Sequence, residues 1–211
     1  MNVRGPKVGV VALQGDVREH RRALEQAGAT PVGLRVPADC EEISGIVIPG
    51  GESTTLSLLI GSSGLEPELR ARIRDGMPVL GTCAGMILLA TSVLDGRPDQ
   101  VHLDAIDIAV RRNAFGRQSE SFETELDVKG LVGGPMHAVF IRAPYVEEIG
   151  PGVEVLATVQ FHDYRAGEEV SEVRDRPVVC RQGSVTTAAF HPELTGDLRL
   201  HQLFLSDIEG D

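Results

Sequence analysis

Val79-Leu80-Gly81-Thr82-Cys83-Ala84-Gly85-Met86-Ile87-Leu88-Leu89-Ala90 is the stretch that decides the fold. A short apolar run, Pro78 to Leu80, reads as a buried strand. It enters a cluster of small residues around Cys83 and leaves as an apolar segment, Gly85 to Val93, that reads as a buried helix. The pattern G-x-C-x-G at a strand-to-helix junction is the thiol counterpart of the G-x-S-x-G nucleophile elbow. The chain must reverse sharply at the nucleophile, so Gly81 and Gly85 are needed to let strand and helix approach. Cys83 then projects from the C-terminal edge of a sheet, where α/β sites lie. A helix N-terminus beneath it favours a thiolate, and the Ala84 N–H points toward the space where an oxyanion would form. A free cysteine is more often a buried core residue, so a catalytic reading needs partners elsewhere in the chain.

Upstream, short apolar runs alternate with helical patterns. Val8 to Leu13, Pro31 to Val36 and Gly45 to Gly51 read as strands. Asp16 is placed to cap a helix whose Val17, Leu24 and Ala27 share one face, with Gly28 as its C-cap. Further helices are expected from Ser53, itself a candidate N-cap, and from Glu66 to Arg74. This βαβα order predicts an α/β fold with a mostly parallel sheet and helices on both faces. The second half adds strands: His102 to Arg111, Ser121 to Val128, Ala138 to Arg142, Val153 to Gln160 and Val178 to Arg181. A turn at Gln182-Gly183-Ser184 leads into Val185 to Phe190. Leu200, Leu203, Phe204 and Ile208 form the inward stripe of a final helix. Phe161 to Arg176, with five acids, reads as a solvated loop.

A chain of 211 residues with 42% hydrophobic and 24% charged residues suits one globular domain spanning 1–211. Its formal charge of −11 repels phosphate backbones, so nucleic acid is not an expected partner. No apolar run approaches the roughly 18 residues of a transmembrane helix, and the first residues lack a signal-peptide profile. Three cysteines without a CxxC argue against a disulfide framework or a structural zinc site. The expectation is a cytoplasmic protein with no membrane association.

Two further motifs supply the partners that Cys83 needs. In AAFHPEL, Ala188 to Leu194, His191 follows an apolar strand and Glu193 stands two residues on. Positions i and i+2 share a face of extended chain, so the carboxylate can reach the far nitrogen of the imidazole. His191 is then the candidate base and Glu193 its orienter. In IVIPGGESTT, Ile46 to Thr55, glycines at a strand end free backbone amides for a ligand. The Gly51 N–H is the candidate second oxyanion donor, and Glu52 and Ser53 can read polar ends of a substrate. The phosphate-loop pattern is absent. Cys40 and Cys180 sit outside any elbow and read as inert, and His102, His137, His162 and His201 lack motif neighbours and read as surface or partly buried groups. His20, on the first helix, does too, with a partner contact as its alternative.

Together these motifs resemble the class I (triad) glutamine amidotransferases. VVALQGDVREH, IVIPGGESTT, VLGTCAGMILLA, RRNAFGRQSESFE, AVFIRAP and AAFHPELTGD, in this order, resemble the PdxT/SNO family, the glutaminase subunits of pyridoxal 5′-phosphate synthase. The likeness runs from about Val8 to Phe204. It implies a three-layer, flavodoxin-like amidotransferase fold. It also implies Cys83, His191 and Glu193 as the catalytic triad, and Gly51, Glu52, Ser53, Arg112, Ile141 and Arg142 as the residues that bind L-glutamine. The chemistry it implies is hydrolysis of L-glutamine to glutamate and ammonia, with neither metal nor cofactor. The implied partner is a (β/α)8-barrel synthase subunit, in an assembly of twelve synthase and twelve glutaminase chains. Another amidotransferase subunit, a non-catalytic module and a cysteine hydrolase of the same fold remain alternatives at this point.

Overall fold

The computed structural model describes residues 5–97, 99–112, 121–162 and 173–210. In chain order the elements are β1 (Lys7–Val11), α1 (Val17–Gln26), β2 (Thr30–Leu34), a 3-10 turn (Pro37–Cys40), β3 (Gly45–Ile48), α2 (Ser53–Ser63) and α3 (Leu65–Arg74). Then come β4 (Val79–Thr82), α4 (Ala84–Leu89), β5 (Ala90–Val93), β6 (Ile106–Arg111), β7 (Ser121–Leu126), β8 (Met136–Ile141) and β9 (Tyr145–Ile149). The chain continues through β10 (Glu154–His162), β11 (Val173–Gln182), β12 (Val185–Ala188), a second 3-10 turn (Pro192–Leu194) and α5 (Arg199–Glu209).

Seven strands form the main sheet in the order β10-β11-β12-β4-β3-β1-β2. The five from β12 to β2 are parallel, while β10 and β11 run antiparallel at one edge. Strands buried on both faces read as continuous apolar runs, and β3 and β4 are buried throughout. Gly45 and Ile48 are three residues apart and face opposite sides of the sheet. Phe204 and Ile208 of α5 close over Gly45, and Gly85 of α4 closes against Ile48. Helices therefore cover both faces, as the βαβα order predicts. One cluster of buried apolar side chains runs from Val8 to Leu205.

The second half departs from expectation in three places. The apolar run after Cys83 is helical only to Leu89. Ala90 then turns extended (φ −62°, ψ 148°), and β5 pairs in parallel with β6 in a three-stranded sheet with β9. Periodicity alone cannot divide such a run between helix and strand. β9 has no strand-like signature because Glu147 and Glu148 interrupt it. It is held by antiparallel pairing with β6 and by Glu147, which pairs with Arg111 and Arg176. The expected loop from Phe161 to Arg176 is entered from both ends by β10 and β11, which pair as far as His162 opposite Val173. The rest of that stretch lies outside the described residues. Among the described residues no helix is long and apolar enough to cross a membrane.

Candidate active site

β4 ends at Thr82, and Cys83 follows at φ 47°, ψ −103°, a conformation sparsely open to side chains. The Cys83 N–H donates to the Ala188 carbonyl (2.8 Å), which fixes the reversal to β12. A Cβ on Gly85 would lie 2.1 Å from the Ile48 carbonyl oxygen, and one on Gly81 would lie 2.4 Å from Leu89 Cδ1. The elbow therefore requires both glycines, for the reason read from the sequence. The thiol is buried and points at the Ile141 carbonyl oxygen, 3.9 Å away. Ala84 opens α4, so its N–H has no partner within the helix.

The ends of three strands beside β4 in the main sheet, β12, β3 and β1, deliver much of the rest of the site, and β6 and β8 of the smaller sheets deliver Arg112, Ile141 and Arg142. Beyond β12, His191 Nδ1 lies 2.8 Å from Glu193 Oε1. The contact is made differently from the extended i, i+2 geometry expected: Glu193 sits in the 3-10 turn Pro192–Leu194, with His191 as its N-cap residue. Asp16 brings a second carboxylate, its Oδ2 3.3 Å from the same nitrogen. Asp16 does stand at the N-cap position of α1, yet its side chain makes no capping bond. Burial works against a charge on His191, but hydrogen bonds with Asp16, Cys83 and Glu193 outweigh it and push the imidazole up to about 12. Burial also raises the Glu193 carboxyl, against the pull of His191.

At the end of β3, Gly51 has φ 149°, and a Cβ there would meet Gln14 Oε1 at 2.5 Å. The loop after β1 grips this segment on both sides. Asp16 N–H donates to the Gly50 carbonyl (3.2 Å), and Glu52 N–H donates to Gln14 Oε1 (3.1 Å). Glu52, rather than Ser53, caps α2, its carboxylate accepting from Thr55 N–H (2.7 Å). Ser53 is the buried first residue of that helix. Arg112, just past β6, donates to Thr54 Oγ1 (3.1 Å), Ser53 Oγ (3.4 Å) and the Asp95 carbonyl (3.2 Å).

Asp16, Gly51, Glu52, Ser53, Cys83, Ile87, Arg112, Ile141, Arg142 and His191 line one cavity of about 210 Å³. That is below the roughly 300–1,000 Å³ of drug-sized ligand pockets and suits a small molecule. Every residue that the resemblance assigns to a triad or binding role thus lines this cavity except Glu193, which lies directly behind His191. Arg142 shares with Cys83 a positive φ (44°), and strain of this kind persists where the surroundings enforce it. A larger cavity of about 810 Å³, between α1 and the turn after His191, touches Glu193 but neither Cys83 nor the imidazole. Asn113 to Gln118 of the RNAFGRQ motif lie outside the described residues.

Sequence reading missed Gln14 and Asp16 as site residues, although both stand in the VVALQGDVREH motif. His20 and His201, expected at the surface or partly buried, are fully buried. Cys40 and Cys180 are buried, and burial pushes their thiols up to about 11 and about 12, in keeping with inert core cysteines.

This architecture is that of the glutamine amidotransferases. A solved glutamine amidotransferase matches with a TM-score of 0.84 and 46% identity, covering 96% of this chain and 98% of that one. The structure of PurLQS from Thermotoga maritima shares the fold at 13% identity, with a TM-score of 0.66 over 98% of this chain and 100% of its own. Residues 10–210 match the SNO glutamine amidotransferase family, and the chain belongs to that family. It is 56% identical over 205 residues to the pyridoxal 5′-phosphate synthase subunit PdxT of Rhodococcus opacus (strain B4), covering 97% of this chain and 98% of that one. The PdxT of Nocardia farcinica (strain IFM 10152) is likewise 56% identical over 205 residues, covering 97% of this chain and 87% of that one.

Proposed function

We propose that this chain is the glutaminase subunit of a pyridoxal 5′-phosphate synthase. It hydrolyses L-glutamine to L-glutamate and ammonia and passes the ammonia to a synthase subunit. The observation that carries the reading is the likeness to PdxT chains along nearly the whole length, joined to a small cavity lined by Cys83, His191 and Arg112. His191, which Asp16, Glu193 and Cys83 itself hold protonated, carries the proton that Cys83 gives up, and the sulfur attacks the side-chain amide carbon. The carbonyl electrons move to oxygen, where the N–H groups of Ala84 and Gly51 receive them. Each such donor is worth about 3 kcal/mol in the transition state. As the carbonyl re-forms, the C–N bond breaks and ammonia leaves with the proton from His191. Water then attacks the thioester, gives a proton to His191, and releases glutamate and Cys83.

Glu193 orients the imidazole and balances its charge. Arg112 suits the α-carboxylate of glutamine as a charge-assisted donor. Gly51, Glu52, Ser53, Ile141 and Arg142 complete the binding site, Ile141 through its carbonyl. These steps need neither metal nor cofactor. The synthase partner is proposed as a (β/α)8 barrel, twelve copies carrying twelve of this chain. The contiguous core supports reading 1–211 as one domain, and three unpaired cysteines suit a reducing, cytoplasmic setting.

The test is ammonia release from glutamine by the full chain, with and without the synthase subunit. Cys83→Ala is expected to abolish turnover while glutamine still binds, and Cys40→Ala and Cys180→Ala to stay near wild type. Turnover by Cys83→Ala comparable to wild type would reject the mechanism.

A further inference from the structure

Behind the triad, on the side away from the cavity, His20 of α1 and His201 of α5 meet in the core. His20 Nδ1 lies 3.1 Å from His201 Nε2. Its other nitrogen, Nε2, lies 2.9 Å from Thr82 Oγ1 and 3.3 Å from Glu193 Oε2. Thr82 immediately precedes Cys83, and Glu193 binds His191 through its other oxygen. Two buried polar atoms of this cluster have no hydrogen-bond partner, Glu193 Oε2 and His201 Nδ1.

These contacts select a tautomer. Burial, with His201 and His191 adding to it, holds His20 well below the usual imidazole range, and burial brings His201 down to about 4. Both rings are neutral at pH 7, so each has one donor and one acceptor nitrogen. If His20 carried its proton on Nδ1, its bare Nε2 would face the Glu193 carboxylate. His201 would then hold a buried N–H at Nδ1 with no acceptor, which proteins rarely tolerate. In the alternative, His201 Nε2–H donates to His20 Nδ1, and His20 Nε2–H donates to Thr82 Oγ1 with Glu193 Oε2 3.3 Å from the same nitrogen. Only an acceptor lone pair, at His201 Nδ1, is then left over. The second arrangement is the stable one.

We propose that His20 is a positioning residue for the triad, keeping Glu193 a carboxylate through its Nε2–H, and that His201 fixes the tautomer that supplies this proton. A buried carboxylate with one oxygen unfilled is costly, and it lowers that cost by taking a proton. A protonated Glu193 would no longer offset the charge of the His191 imidazolium that stands beside Cys83. A neutral N–H donor at Oε2 stabilises the anion without adding a charge that would compete with the imidazolium. His20 thus acts through Glu193 and touches neither substrate nor Cys83. The inference rests on the triad reading given above.

The experiment is steady-state glutamine hydrolysis by the full chain with the synthase subunit present, with a melting temperature for each variant. His20→Phe, His20→Gln and His201→Phe are each measured alone and combined with Glu193→Gln. His20→Phe is expected to lower kcat about tenfold, the loss of a polar N–H beside a buried charge, with KM within about twofold. His20→Gln, whose amide nitrogen reaches the place of Nε2, is expected to recover most of that loss, and His201→Phe to fall between. In the Glu193→Gln background, His20→Phe is expected to cost less than about twofold more, because the group it acts through is gone. The inference is overturned if folded His20→Phe keeps wild-type kcat, or if its loss is the same in both backgrounds. It is also overturned if His20→Gln is as slow as His20→Phe at an equal melting temperature. Should His20→Phe not fold, His201→Phe decides: its loss must shrink in the Glu193→Gln background, and an undiminished loss rejects the proposal. The underlying reading fails separately, by wild-type kcat in Glu193→Gln alone.

Discussion

Arg112 is tied to the site by hydroxyls and a carbonyl, while its Nε is buried without a hydrogen bond and Asp95 Oδ1 stands 4.0 Å from it. A guanidinium that lines the small cavity beside Cys83 and His191 matches a ligand carboxylate. Arg112→Ala is expected to raise KM for glutamine about tenfold to a hundredfold, the worth of a charge-assisted bond, with a smaller change in kcat. Steady-state kinetics on a variant shown to be folded check this, and an unchanged KM would remove Arg112 from the binding site. Residues such as Cys83, His191 and Glu193 were legible because each sits in a local motif whose chemistry explains its neighbours. Asp16 was hidden because one carboxylate satisfied a simpler reading, a helix cap. His20 and His201 stand 181 positions apart, and nothing local in either helix tells a buried histidine from a solvated one.

Among the elements, the loop after β1 governs the loop after β3. Asp16 N–H and the Gln14 side chain hold the Gly50–Gly51–Glu52 backbone on both sides of Gly51. Turning the Gly50–Gly51 peptide would break the bond from Asp16, at a cost of about 1 kcal/mol, so a ligand or partner that binds one orientation more tightly can select it. Gly51→Val would place a branched side chain at φ 149° against Gln14. It is expected to lower kcat with the synthase present by about tenfold or more, the effect of weakening one oxyanion donor. Alkylation of Cys83 by iodoacetamide should continue, since the thiol is untouched. Full activity in Gly51→Val would mean that this amide is not a donor. The parallel strands and the elbow were legible because buried β-branched runs bounded by glycine have few other readings. The α4–β5 boundary and β9 were not, because they depend on pairing with β6 and on arginines that neutralise Glu147, and pairing is not written in a single segment.

For the molecule as a whole, two neutral histidines in the core make stability depend on acid. His201 falls from the usual 6.5 to about 4, and His20 falls well below its ordinary value, both chiefly because burial opposes the charged form. A histidine with a depressed folded pKa binds its proton more readily when unfolded. Its stabilising effect is therefore complete above about 6.5 and is lost as pH falls toward the folded value. His191 has the opposite sign: raised to about 12, it favours the folded chain most below pH 6.5 and progressively less above it. In the interval from 6.5 to 4 His191 is protonated in both states for most of the range, so it adds little to the slope there. For His201 the shift from 6.5 to about 4 corresponds to about 3 kcal/mol. The wild-type chain should lose that much more unfolding free energy than His201→Leu on going from pH 6.5 to 4. Urea denaturation of both proteins across this range measures the difference. Carboxylates that titrate in the same window are common to both chains and cancel in the comparison. Parallel stability curves would mean that His201 is not held neutral by the fold, and the tautomer assigned to His20 would lose its support.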